Sequence, residues 1–220
     1  MAATWRGRAD IGVRRRVTRK YELRKRADKV ADTRRRIIEA TVELHRTAGP
    51  ARTGVSEIAR RTGLRRVTVY DHFPDDAALI AACSSHWRSL HPGPDPAAWA
   101  RIEPPAARLR TLVVAVYRWY RETEPMTANI LRDADLVPAM RDVLDGGLFM
   151  WLAAVRATLE APFATPVGVS ERVRAAIRLA VDFHAWRALA PLGDSEAADL
   201  AARLVEAAAA SGEAEIPPEG

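Results

Sequence analysis

Cysteine is almost absent. Cys83 is alone among 220 residues, so no internal disulfide can form, and a reducing compartment suits the chain. Aromatic residues make up only 6%, while alanine fills 42 positions, a balance that favours helices over sheets. Long apolar runs are also missing: the longest, such as Leu112-Val113-Val114-Ala115-Val116-Tyr117, fall far short of the ~18 residues that span a bilayer. No apolar stretch interrupts the Arg-studded N-terminus, so no secretory signal and a cytoplasmic location are expected. A secreted disulfide scaffold and a membrane protein are excluded. A chain of this length buries roughly 70% of its surface on folding and needs no metal to hold a core.

Charge is unevenly spread. Residues 1–46 hold 15 Lys or Arg against 6 Asp or Glu, a net of +9. Residues 84–220 hold 14 against 18, a net of −4, and the whole chain carries +6. A basic head on a mildly acidic body suits a chain whose N-terminal part meets a polyanion. On charge alone that polyanion is DNA, RNA or an anionic membrane.

The periodicity is helical throughout. Residues 1–27 are highly charged and read as a basic, flexible arm, helical at the earliest from about Val17. Ile37, Thr41, Leu44, His45 and Ala48 then share one helix face, and Gly49-Pro50 stops that helix. Thr53 is expected to cap a short helix over Val55–Thr62, Gly63 to break it, and a second short helix to run from about Arg65 to Phe73. A third follows from about Asp75 to Leu90. After the break His91–Pro96, helices are expected at Pro105–Thr123, Pro125–Arg132, Val137–Glu160, Ser170–Leu189 and Asp194–Ala210. No segment shows sustained period-two alternation. The expected fold is all-α, with about nine or ten helices.

Residues 53–73 have the layout of a helix-turn-helix. Ile58 and Ala59 point inward, Gly63 supplies the tight turn, and Arg65, Arg66 and Thr68 face outward while Val69 and Phe73 anchor the second helix. The plainer reading is a short helical hairpin within an all-α protein. About fifty contiguous residues around this unit also resemble the DNA-binding domain of TetR-family transcriptional regulators. The resemblance runs from Arg36-Ile37-Ile38-Glu39-Ala40 through Gly49, Thr53 and Gly63 to Ala78-Leu79, and is most specific at Thr68-x-Tyr70-x-His72-Phe73. It implies a three-helix DNA-binding domain over 28–90 and a helical effector-binding and dimerisation domain over 91–211; residues 212–220 are read as a disordered tail. It also implies a homodimer on a palindromic double-stranded DNA operator, released when a small molecule enters the body.

Residue by residue, Thr53, Thr68, Tyr70 and His72 match family positions that usually touch the phosphate backbone; such contacts position without specifying. Arg65 and Arg66, at the start of the second helix, are candidates for base readout, since Arg to guanine is the commonest specific contact. The chain departs from the family pattern at three places. Arg65 stands where a Ser cap is usual, Asp76 replaces a phosphate-touching Lys, and His45 replaces a Phe. Asp71 also puts a negative charge on the DNA-facing helix and is expected to pair with a nearby Arg. The arm residues Arg19, Lys20, Arg24, Lys25 and Arg26 are the expected compensation, by contact with DNA.

Other chemistry finds little support. His86 and His91 lie five apart and cannot share a helix face as metal ligands do, so no metal and no cofactor are expected. Cys83 has no base at useful spacing. No phosphate loop or nucleophile signature occurs, and no catalytic activity is expected. The body carries Trp119, Tyr120, Met126, Asn129, Trp151, Phe183 and His184 on several helices. These residues are either ordinary core or the wall of a pocket for a hydrophobic or aromatic effector. The sequence therefore predicts a ligand-released, homodimeric repressor. The competing reading is a constitutive DNA-binding architectural protein whose body only dimerises.

Overall fold

A computed structural model describes the backbone of residues 9–213 and the side chains of residues 21–211. Among the described residues there are ten α-helices and no sheet: α1 (Ala9–Thr47), α2 (Val55–Thr62), α3 (Arg66–His72), α4 (Asp76–Leu90), α5 (Pro105–Asp133), α6 (Pro138–Leu144), α7 (Met150–Glu160), α8 (Glu171–Ala180), α9 (Phe183–Leu189) and α10 (Asp194–Glu213). No helix among them is long and apolar enough to cross a membrane.

Two main cores organise the chain. The N-terminal core gathers Ile37 and Leu44 of α1, Ile58 and Ala59 of α2, Val69 of α3, Phe73, and Leu79 and Cys83 of α4. The core of the body packs α5 against α7, α8, α9 and α10 through residues such as Val116, Tyr117, Tyr120, Val155, Ile177 and Trp186. A smaller cluster of Ile80, Met140 and Leu144 joins α4 to α6 and so links the two.

Several boundaries differ from the sequence expectation. Helix α1 starts at Ala9 rather than near Val17, and thus runs through most of the stretch read as an arm. Its residues 21–32 are all exposed. Thr53 does not cap α2. Gly54 holds the N-cap position, and the Thr53 hydroxyl donates instead to the Gly49 carbonyl at 2.8 Å.

Pro125 does not divide the helix around it, and α5 is continuous over 29 residues. A proline there costs the carbonyl of Arg121 its helical donor. Both residues are exposed, so water can take the place of that donor. The buried face of Tyr120, Thr123, Met126 and Thr127 holds the helix together.

Helix α6 passes into α7 through a π turn, Asp145–Phe149. The expected single helix Ser170–Leu189 is broken at Val181-Asp182. There the Asp182 carboxylate accepts the Ala185 N–H at 2.8 Å and starts α9 afresh. The phenols of Tyr117 and Tyr120 donate to the carbonyls of Ala180 and Val181, at 3.0 and 2.7 Å. The break therefore leaves neither carbonyl unpaired inside the core.

Candidate DNA-binding interface and body cavity

Helices α2 and α3 meet at Gly63, whose φ of 69° is the left-handed conformation that a side chain disfavours. The Leu64 N–H reaches back to the Ala59 carbonyl at 3.0 Å and closes the turn. Helix α3 is then anchored by buried Val69 and Phe73 and presents Arg65, Arg66, Val67 and Tyr70 outward, with Thr68 and His72 half-buried. Arg65 occupies the N-cap with no side-chain capping bond. Its guanidinium is left outside the helix's own hydrogen bonding, as a base or phosphate contact requires. Asp71 is exposed and forms no ion pair among the described residues. Asp75, one residue before Asp76, caps α4 by accepting the Ala78 N–H at 2.7 Å.

Two residues that sequence reasoning missed fix this unit to α1. Arg34 donates to the His72 carbonyl at 2.7 Å, and its guanidinium lies 4.0 Å above the Phe73 ring. Arg36 donates to the Thr62 carbonyl at 2.8 Å. Each places a cation at the C-terminal end of a helix, where carbonyls lack partners and the dipole is negative. In the sequence both belong to a run of basic residues, and nothing local shows that they turn inward. Arg24, Lys25 and Arg26 are exposed on the projecting part of α1. Arg19 and Lys20 lie outside the residues whose side chains are described.

The end of α1 is held by the body. The Asn129 side-chain amide donates to the carbonyls of His45 and Arg46, at 3.1 and 2.8 Å. Arg132 donates to the Ala48 carbonyl at 3.0 Å and to Asp133, whose carboxylate accepts the Ala51 N–H. Burial pushes the Asp133 carboxyl up, but the bonds from Arg132 and Ala51 outweigh it and hold it below the usual carboxylate range. His45 is buried beside this junction, and the loss of solvation lowers its pKa to about 4 despite the nearby Asp133 charge. Burial likewise pushes the Cys83 thiol up to about 12. Such a thiol stays protonated and is a poor nucleophile.

Of the residues expected around an effector, Trp119 and Trp151 meet at one cavity of about 190 Å³, their ring centroids 4.8 Å apart. The opposite wall is α4, through Ser84, Trp87, Arg88 and the flanking His91. The indole N–H of Trp119 donates to the His91 carbonyl and that of Trp151 to the Pro94 carbonyl. The link from α4 into the body is thereby strapped across the cavity.

The other expected residues are elsewhere. Tyr120 and Phe183 are packed edge-on in the core of the body, because the α8–α9 break turns Phe183 inward onto Tyr120. Met126 lines a separate gap of about 40 Å³ beside His45. Asn129 serves the junction, and His184 is exposed on α9. Trp87 was missed. It lies on α4, ahead of the body in the sequence, and only folding brings it against the body.

A second apolar feature is on the outside. Leu179 of α8, Ala188 of α9, and Leu200 and Leu204 of α10 are exposed together around a groove of about 350 Å³.

Helices α2 and α3 thus form a helix-turn-helix carried on a helical body. Residues 37–83 match the family of bacterial regulatory proteins described as the tetR family. The match is confined to this N-terminal unit, which is similar to the DNA-binding part of that family. Solved structures share the chain's fold. A TetR regulator from Haloarcula marismortui is 18% identical with a TM-score of 0.53, over 82% of this chain and 98% of that one. A putative TetR-family regulator from Mesorhizobium loti is 18% identical with a TM-score of 0.51, over 84% and 96%. A TetR-family regulator from Streptomyces coelicolor is 22% identical with a TM-score of 0.52, over 83% and 85%. No curated protein matches the sequence.

Proposed function

We propose that this protein is a TetR-type transcriptional regulator, a homodimeric repressor that binds a palindromic operator through α3 and is released by a small aromatic or hydrophobic effector bound beside α4. The carrying observation is the cavity whose walls are Trp119 and Trp151 of the body and Trp87 of α4. Helix α4 begins at Asp76, four residues after α3 ends at His72. A ligand that changes the seat of α4 therefore bears on the recognition helix through a short connection.

Ligand and DNA must then favour different arrangements, and each weakens the other by the same factor. Homodimer formation is supported by the exposed leucines of α8 and α10, whose burial between two copies would make a four-helix interface. At the start of α3, Arg65 of the N-cap and Arg66 read bases, while Thr68, Tyr70 and His72, with Thr53 before α2, contact phosphates. The test is selection of bound DNA from a random pool, followed by titration of aromatic compounds against the complex. A palindromic consensus released by a ligand is expected. A non-palindromic pool, or a palindrome that no ligand releases, would overturn the corresponding half of the proposal.

A further inference from the structure

The cavity's polar groups point to one class of effector. Both indole N–H groups on the body side are engaged by the carbonyls of His91 and Pro94. The ligand therefore meets the Trp119 and Trp151 rings as apolar surfaces. No carboxylate lines the cavity. An organic cation would be drawn to indole faces, but here it would find no counter-charge and would face Arg88 instead. Arg88, on α4, has no ion pair among the described residues and lies exposed at the cavity's edge. Its guanidinium rests against Gly147 in the π turn, where any side chain would run into it. π turns recur at functional sites, and this one carries the glycine that seats the cation.

We infer that the effector is a planar aromatic anion, its ring against Trp87, Trp119 and Trp151 and its acid group on the Arg88 guanidinium. The inference rests on the reading of this cavity as the effector site. A guanidinium offers a carboxylate two parallel N–H donors, and Ser84 and Thr127 supply further hydroxyls on the lining. The space of about 190 Å³ is smaller than a drug-sized pocket, which favours about one or two fused rings over a larger ligand.

Calorimetric titration of the full chain with naphthoate and with its uncharged amide, naphthamide, tests this. Naphthoate should bind roughly threefold to tenfold more tightly, the range expected for a charged contact at a water-exposed rim. In Arg88→Gln that preference should vanish while naphthamide affinity stays unchanged, and the unchanged amide also reports that the cavity is intact. Equal binding of the two probes, or a preference that survives Arg88→Gln, overturns the anionic class and leaves the cavity reading standing. Absence of binding by both probes at millimolar concentration overturns the cavity reading together with the inference.

Discussion

The Asp133 carboxylate, at the end of the longest helix of the body, accepts the backbone N–H of Ala51 at 3.0 Å from the turn just before the helix-turn-helix. Arg132 and Asn129, on the same helix end, donate to the carbonyls at the end of α1. The body thus supplies the polar partners that α1 lacks at its own C-terminus. Asn129→Leu, branched alike but without the amide, should leave the carbonyls of His45 and Arg46 without those donors and cost about 1–3 kcal/mol in urea unfolding. Unchanged stability would mean that water replaces the amide without loss.

His45 makes this junction sensitive to acid. Its pKa is lowered in the folded state to about 4, so below the ordinary value of 6.5 the unfolded chain takes up a proton that the folded one refuses. Stability should therefore fall as pH drops from about 6.5 towards 4, by as much as about 3 kcal/mol. Asp133 adds to this lower down. Its folded pKa is depressed, so its contribution is present above the ordinary carboxylate pKa and is lost as pH falls through the folded value. His45→Phe should flatten the stability profile between pH 6.5 and 4, measured by chemical denaturation across that range. A profile as steep as the parent's would clear His45 of the effect.

Arg66→Ala and Tyr70→Phe should weaken operator binding in different ways. Loss of Arg66 should relax the preference at one base pair and cost ~1–3 kcal/mol if its contact is bidentate to guanine. Loss of the Tyr70 hydroxyl should lower affinity modestly and equally across sequences. Competition binding on a panel of single-base operator variants separates the two patterns.

Leu200 and Leu204 are each more than two-fifths exposed on α10. Leu200→Arg with Leu204→Glu should bury two charges in a dimer while leaving the monomer's core untouched. Sedimentation at micromolar concentration should then give a monomer where the parent gives a dimer. A parent that is itself monomeric removes the four-helix interface from consideration.

Replacing Arg24, Lys25 and Arg26 together by Ala tests the projecting part of α1. Each DNA phosphate that these cations neutralise adds roughly 0.9 to the slope of log affinity against log salt, so the variant's slope should be shallower. The operator sequence preferred should persist, because Arg65 and Arg66 are untouched. An unaltered slope would leave these cations as a solvated helix face.

Local signals in the sequence carried far in this chain. Gly63, with apolar residues spaced on either side of it, locates the two short helices, because a left-handed turn and a buried face are set within a few residues. Asp194, an acidic residue at a helix start, and the Pro and Gly clusters between segments mark most helix ends for the same reason. The all-helical class follows from alanine content and the absence of period-two alternation. Tertiary structure decided the rest. Pro125 should end a helix, yet burial of Tyr120 and Met126 on one face carries α5 through it. Val181-Asp182 shows no local break strong enough to predict, and the two tyrosines that pair its carbonyls are about sixty residues away. Asn129 looks like a pocket residue until the end of α1 arrives beside it. Trp87 joins Trp119 and Trp151 only because α4 packs on the body. Short-range patterns fix where helices start and turn. Which side chain faces a cavity, a junction or the core depends on contacts between residues far apart in the chain, and spacing along the sequence does not encode them.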